Sequence, residues 1–563
     1  MAEPVRTVEL RVLEGPNLYF PRPAIKLTLD VAGWLRASPE RVARVIEAVG
    51  LAGLQPGQPP SEHRLRATAR IAAQLTRRIA AATGPGRLAV RGRTGPEAGQ
   101  VTVAFPWRRR GAAEALARAT AGAMADTLRR SPRRVIEERA REVSEAEPGT
   151  EPEVPDPSIP VVQVTGTNGK TTTTRLLAHI VREAGKRVAY SSTDGVYRDG
   201  RRVRSGDYSG FGGAALALDQ RPDVAVLETA RGGILLRGIG VLHNDVAVVT
   251  NVSADHLDLQ GISTVDQLAE VKSTITRITR PEGWAVLNAD DPRVLAMRRV
   301  ATGRPWLFSL DPGHPALRES LAAGGRAMTV LDGTLVWMEG RAVHPLVDLE
   351  HVPVTLAGLS RMYTQNALAA AAAALGAGIP HRRVANGLRT FVLDPTTNPG
   401  RSNLFMLDRR LVVLDYAHNE AGMDGLVEIL RGLRPPGREI WLAIGAAGDR
   451  THEILHGFAV RAALGVDHLV IAELLRYLRG RPREEVVARL REGAALAGKR
   501  DVPVYMDEMR ALRALLKASA PRDVVGITAL AQRSAAFRWL RAHGARLLGP
   551  SDVRRLARAA RSS

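Results

Sequence analysis

Between Val161 and Val164 a continuous β-branched run gives way to a glycine-rich turn. From Thr173 onward apolar residues return at helical spacing, at Leu176, Leu177, Ile180 and Val181. That change of period predicts a strand, a turn and a helix. Further short apolar runs follow at Val188–Ser191, Val224–Leu227, Val246–Thr250 and Ala285–Asn288, most of them separated by helical segments. The alternation predicts a mostly parallel, doubly wound α/β sheet, whose ligands bind beyond the carboxyl ends of the strands. A second series, Leu411–Leu414, Ile440–Ile444, Leu469–Ala472, Pro503–Tyr505 and Val524–Ile527, predicts another α/β domain.

Ahead of both, Val8–Val12, Ala24–Val31 and Val101–Phe105 read as strands, and Arg64–Ala82 and Ala112–Arg130 as amphipathic helices. They predict a small α+β unit. Prolines at 148, 152, 155, 157 and 160 mark a semi-rigid connection. The expected division is therefore 1–147, a linker over 148–158, 159–396 and 397–563, with one Arg-rich helical pattern over Arg538–Arg561.

The chain has 563 residues, 45% hydrophobic and 24% charged, as in globular proteins with sizeable cores. No run of 18 uncharged apolar residues occurs and Met1–Leu10 has no apolar signal region, so neither a membrane span nor a leader is expected. Zero cysteine excludes disulfides, thiolate metal sites and a cysteine nucleophile, and fits a cytoplasmic location. A net charge of +21 invites a nucleic-acid reading. The charge is spread along the chain, aromatics are only 4%, and no nucleic-acid signature accompanies the arginines, so no such partner is expected. Residues 1–147 hold 25 basic against 15 acidic residues, which suits either a solvated surface or capture of an acidic ligand. Only six of the 79 basic residues are lysine, among them Lys170 and Lys272. Where arginine serves almost everywhere, lysine chemistry is the more noticeable.

The turn Gly166-Thr167-Asn168-Gly169-Lys170-Thr171-Thr172 supplies what a phosphate needs. Glycines admit backbone N–H groups to the anion and the helix start adds positive potential. Lys170 reaches the phosphates, and a threonine hydroxyl can bind Mg²⁺. The full pattern has glycine where this chain has Val164, and an ordinary βα turn is the plain alternative. Glu228, Asn251–His256 and Asn288–Asp291 fall at predicted strand ends. Singly, Glu228 suits a cap or an ion pair and His256 a loop. Together with Thr171 they offer hard donors beside a phosphate loop, as Mg²⁺ requires.

Six ordered motifs resemble the Mur ligase superfamily, and within it the ligase half of cyanophycin synthetases. They are Val164–Thr173, Leu227–Leu235, Val249–Leu257, Leu287–Asp291, Asp415–Asn419 and Gly445–Arg450. The N-terminal unit resembles the synthetases' N domain more weakly, through Leu13–Tyr19. The ATP-grasp domain of that family is absent, and the Pro-rich stretch stands in its place. The resemblance implies a central P-loop-type domain, a Rossmann-like C-terminal domain and ATP-dependent amide formation through an acyl phosphate. An amino acid, arginine-like by resemblance, would join a carboxylate of an acidic peptide or polymer. By the same resemblance Lys170 and the loop amides hold phosphates, Thr171, Glu228 and His256 hold Mg²⁺, and Asn288 reads adenine. Arg401 and Asp415 reach phosphates and ribose, and Lys272 is carbamylated as a metal ligand. A homo-oligomer is expected. The alternatives are a catalytically silent polymer-binding homologue and, from charge alone, a nucleic-acid-stimulated NTPase.

Overall fold

The computed structural model describes residues 5–561 apart from Pro85, His256, Asp258 and Leu475, and three sheets follow one another along it. In the first, β1 (Arg6–Leu13), β2 (Ala24–Asp30), β3 (Arg91–Thr94) and β4 (Gln100–Pro106) pair antiparallel in the order β1-β2-β4-β3. Helices α1 (Ala32–Arg36), α2 (Pro39–Ala48), α3 (Glu62–Thr83), α4 (Arg110–Asp126) and α5 (Pro132–Ser144) complete the unit. Ile25, Leu27, Leu29, Val101, Val103 and Phe105 bury their side chains in one core with Ile71, Leu75 and Ile79 of α3. Ser61 caps α3 by accepting the Arg64 amide at 3.1 Å. The Arg64 side chain is fully buried and donates to the carbonyls of Trp34, Ala37, Pro56 and Gly57. Those bonds tie the α1–α3 loops to the helix. Strand β3, Arg-Gly-Arg-Thr, has no apolar residue and carries no hydrophobic signal in the sequence.

The central sheet contains β5 (Val161–Thr165), β6 (Val188–Ser192), β7 (Gly195–Arg198), β8 (Arg201–Ser205), β9 (Val224–Glu228) and β10 (Asn244–Val249). It continues with β11 (Thr279–Asn288), β12 (Arg304–Phe308), β13 (Arg326–Leu331), β14 (Thr334–Glu339) and β15 (Ala342–Asp348). Their order is β15-β14-β13-β12-β11-β10-β5-β9-β6-β7-β8. From β13 through β6 every pairing is parallel, as the alternation of strand and helix predicts. Two antiparallel hairpin extensions, β7–β8 and β14–β15, flank that block. The mixed sequences of β7, β8 and β15 conceal them from a search for buried runs, whereas β14 carries the apolar run Leu335–Met338. Helix α6 (Lys170–Glu183) follows β5 directly, and α7 (Phe211–Leu218), α8 (Arg231–Leu236) and α9 (Val265–Lys272) come later. The helix Arg361–Gly376 lies against α6, with Ala367 to Ala374 fully buried.

The third sheet has the order β20-β19-β18-β21-β17-β16-β22. Its strands are β16 (Asn403–Leu407), β17 (Arg410–Asp415), β18 (Ile440–Ile444), β19 (His468–Ala472), β20 (Val504–Tyr505), β21 (Val524–Thr528) and β22 (Arg546–Leu547). The five from β20 to β17 are parallel and β16 and β22 antiparallel. The single helix expected over Arg538–Arg561 is a correction. Two helices, Arg533–Ala542 and Pro550–Arg561, flank β22, because Gly544 turns at φ 76° and Pro550 starts a new helix.

The N-terminal unit is docked on the central sheet by its backbone. The Glu14 and Gly15 amides donate to Arg237 O at 2.8 and 3.1 Å, and the Ile239 amide donates to Pro16 O at 2.7 Å. A Cβ on Gly15 would collide with the Ile239 carbonyl, so this approach requires glycine. Arg237 grips the Glu14 carboxylate at 2.7 and 2.8 Å. The Pro-rich stretch has no helix or strand and is pinned to both neighbours, through Arg110 N to Thr150 O and Leu242 N to Pro155 O, each 2.9 Å. No helix among the described residues is long and apolar enough to cross a membrane.

Candidate active site

Strand β5 ends at Thr165 and α6 begins at Lys170, so the residues between them form a tight loop at the carboxyl edge of the parallel block. Gly169 turns the chain at φ 87°, where a Cβ would strike the Asn366 amide. The next strand, β10, braces the loop through Asn251, which accepts the Asn168 amide at 2.9 Å and donates to its carbonyl at 3.0 Å. Thr250 Oγ1 also donates to Asn168 O, at 2.6 Å. The loop hydroxyl of Thr167 accepts the Ser253 amide at 3.0 Å. Asn168 and Asn419 exchange amide bonds of 3.1 Å each way, so the third domain reaches the loop itself. Asn251, which opens the strand-end stretch Asn251–His256, thus shapes the loop.

Lys170 Nζ donates to the carbonyls of Gly166 and Thr167 at 3.1 and 2.8 Å. Lys272 closes α9 and reaches the same loop, donating to Gly166 O at 2.6 Å. It is buried, and burial together with nearby Lys170 pushes its pKa well below the ordinary lysine value. Two lysines of a chain that has six thus meet at one carbonyl.

Glu228 ends β9 and is 2% exposed. Its Oε1 accepts Thr171 Oγ1 at 3.2 Å, while its Oε2 is buried without a hydrogen-bond partner among the described residues. Burial raises its pKa, opposed by Lys170, Arg401 and Thr171. A buried carboxylate oxygen without a partner is costly, so this one is suited to a cation that is not part of the chain. Together with a threonine hydroxyl it forms a hard-oxygen pair of the kind Mg²⁺ accepts beside phosphates and waters. Among the described residues no three His, Cys, Asp or Glu side chains gather into a metal cage. His256 lies outside the described residues. Its neighbour Asp255 is buried, 3.3 Å from Arg450 Nε and 3.8 Å from His418 Nε2 of the third domain.

The other sequence-named residues stand further from the loop. Asn288 is buried with both ends engaged, donating to Thr250 O at 2.8 Å and accepting the Asp290 amide at 3.0 Å. It therefore shapes the strand that braces the phosphate loop. Asp415 accepts the amide and hydroxyl of Ser402, each at 2.8 Å, and burial raises its pKa. Arg401 lies 3.5 Å from Asp194, a residue the sequence did not single out. Asp194 also pairs with Arg175 of α6 at 2.9 Å and with Arg533 at 3.1 Å. Burial opposes its ionisation, but Arg401, Arg175 and Arg533 outweigh it and hold the carboxyl below its usual range. Three guanidinium groups on one carboxylate leave net positive charge between the central and third domains. Asp194 follows β6, a strand-end position that could have revealed it.

The Mur ligase middle domain matches residues 164–374, and the Mur ligase glutamate ligase domain matches residues 400–529. A cyanophycin synthetase of Crocosphaera subtropica is 38% identical over 363 residues, 64% of this chain and 41% of that protein. One from Trichormus variabilis is 41% identical over 60% of this chain and 37% of its own length. The chain thus spans about two fifths of these relatives. A UDP-N-acetylmuramoyl-L-alanyl-D-glutamate–2,6-diaminopimelate ligase of Alkalilimnicola ehrlichii is 29% identical over 66% of this chain and 71% of its own. Among solved structures, a folylpolyglutamate synthase/dihydrofolate synthase of Yersinia pestis, complexed with AMPPNP and Mn ion, shares the fold. Its TM-score is 0.52 at 21% identity, over 68% of this chain and 90% of that one. With both ligase domains matched in order along it, the chain belongs to the Mur ligase family.

Proposed function

We propose that the chain is an ATP-dependent carboxylate–amine ligase. The observation that carries this reading is the unpartnered Glu228 oxygen, held beside Thr171 at the foot of a phosphate loop that also receives Lys170 and Lys272. The family, and the AMPPNP and Mn ion bound by the Yersinia relative, support it. Thr171 and Glu228 would hold Mg²⁺, which when bound neutralises phosphate charge and orients the oxygens of the transferring group.

The rest follows from the chain's own groups. The loop amides and Lys170 cradle the phosphates of ATP, and the arginine cluster of Arg175, Arg401 and Arg533 adds positive charge from both domains. An acceptor carboxylate attacks the γ-phosphorus, ADP leaves, and an amine displaces phosphate from the acyl phosphate to form the amide. Lys272, whose protonation burial disfavours, can take up CO₂ in its amine form as a carbamate with release of one proton, which turns a cation into an oxygen donor. The Asn168–Asn419 bonds join the two domains at the loop, so domain closure positions the reacting groups. The resemblance of the motifs favours an arginine-like amino acid as the amine and an acidic peptide or polymer as the acceptor, and the diaminopimelate in one relative's name is likewise an amino acid.

The test is ADP release by the purified chain across amino acids and acidic peptides, with product masses. Release that requires both partners, with a product heavier than the acceptor by the amino acid less one water, is expected. Binding of acidic polymer with no ADP release in any combination would instead favour a silent, polymer-binding homologue.

A further inference from the structure

Glu508 is a buried carboxylate that the reaction above leaves without a task. It opens the helix Glu508–Ala518 of the third domain and is 2% exposed. What it holds is backbone. Its Oε1 accepts the amides of Leu530 and Ala531 at 2.6 and 3.0 Å, and its Oε2 those of Ala531 and Gln532 at 3.2 and 2.5 Å. Gln532 returns the contact, its Oε1 accepting the Met509 amide at 2.9 Å. Three consecutive amides on one carboxylate fix the turn between β21 and the helix Arg533–Ala542, at the positive end of that helix.

The next residue is Arg533. Its side chain donates to Pro399 O at 3.1 Å and to Asp194 at 3.1 Å. Gly400 gives it passage, since a Cβ there would collide with the Arg533 side chain. Arg175 of α6 grips the same stretch from the central domain, donating to Thr397 O at 3.1 Å and to Asp194 at 2.9 Å. Between the two arginines Asn398 donates to Thr172 Oγ1 at 3.2 Å, and Arg401 lies 3.5 Å from Asp194. Residues 397–401 are thus the connector between the domains. One arginine from each side clamps it, and Asn398 ties it to the helix that follows the phosphate loop. A long arginine side chain has many rotamers to lose, so its reach depends on how firmly its backbone is held.

We propose that Glu508 is a positioning residue of the ligase: by fixing the turn over 529–532 it aims Arg533 at the connector and at Asp194, and so seats the third domain over the phosphate loop. Its effect on turnover rests on the ligase reading above, whereas the seating itself is measured without turnover.

The chain has no cysteine, so spin labels can be placed at Val300→Cys in the central domain and Leu496→Cys in the third, both exposed. Dipolar spectroscopy then reads how one domain sits on the other. Glu508→Gln sets a donor against the amides, and Arg533→Ala removes the side chain that Glu508 aims. With Mg²⁺ and AMPPNP, the expected result is one narrow distance distribution in the parent and an equally broadened one in either variant. The double variant should be no broader than either alone, as for two residues that act as one unit. ADP release should follow the same pattern, with kcat about tenfold lower in all three and KM for ATP within about twofold of the parent. A parent-like distribution in Glu508→Gln, or losses that multiply in the double variant, overturns the proposal. So does a rise in KM for ATP with kcat unchanged. If Glu508→Gln does not fold, Gln532→Ala, which removes the return bond to Met509, carries the same comparison at smaller amplitude. Failure of the ligase reading shows separately, as absent ADP release by a parent that keeps the narrow distribution.

Discussion

The two faces of helix α9 use charge in opposite ways. Toward the phosphate loop the ionisable groups are few and buried, and they are imperfectly paired: Lys272 and Lys170 share one carbonyl, and Glu228 keeps a bare oxygen. Toward the N-terminal unit they are partly exposed and paired, as in Arg93–Glu270 and Lys26–Glu9. Exposed pairs are each worth little and are screened by salt, whereas a buried unmatched charge changes a group's pKa and its chemistry. The net charge of the chain is therefore a poor guide to where its chemistry lies.

Four substitutions would sharpen or break that contrast. The largest effect is expected from Lys170→Ala, which removes the cation at the phosphates. ADP release should fall by about a thousandfold or more, a barrier increase of about 4 kcal/mol, with circular dichroism and melting unchanged. Near-normal amide formation by this variant would remove the phosphate-loop assignment.

Next comes Lys272→Arg, which keeps a cation but cannot stay neutral or form a carbamate. Turnover should drop about a hundredfold or more, since a permanent buried charge is placed against the loop. Excess bicarbonate should stimulate only the parent enzyme. An active arginine variant would sink the carbamate and the neutral amine together.

Glu228→Gln tests the bare carboxylate by a readout other than activity. Burial places its folded pKa above its unfolded one, so ionisation costs stability as pH rises through the carboxylate range. The glutamine variant should match or exceed the parent's melting temperature at pH 8 without metal. It should lose the stabilisation that Mg²⁺ with AMPPNP gives the parent. Equal stabilisation of both proteins would show that Glu228 is not a cation ligand.

The smallest effect is expected for Arg93→Ala on the opposite face of α9. The Arg93–Glu270 pair is partly exposed, so stability should change by about 1 kcal/mol or less. Because the pair holds the helix that presents Lys272, kcat should fall a few-fold with KM for ATP unchanged. Rescue by Arg93→Glu with Glu270→Arg would separate this positioning role from loss of a surface contact.

The strand–turn–helix from Val161 to Val181 was legible because its period changes from buried run to helical stripe within a few residues, with glycines at the turn. Five of the seven strands of the parallel block were legible for the same reason; β12 and β13 were not, their apolar runs being three residues long or interrupted by Thr329. Strands β3, β7 and β8 were not, since solvent-facing strands have no continuous apolar run to betray them, and the β14–β15 hairpin was missed although β14 carries the run Leu335–Met338. The Arg-rich tail misled in the other direction, because arginine composition says nothing of the break at Gly544.

The sequence by itself determined the chemical inventory: a phosphate loop of a Mur ligase, carboxylates at strand ends, and two lysines where arginine is the rule. Tertiary structure alone decided what those groups face. Thr171 and Glu228 are 57 positions apart, Lys272 is 106 from Gly166, and Asp194 is 339 from Arg533, so no local pattern could pair them. The docking of Gly15 on Ile239 is likewise a contact between backbones that side-chain patterning does not encode. Spacing along a chain records which face of its own element a residue takes; burial, partner and pKa belong to the surface that element meets.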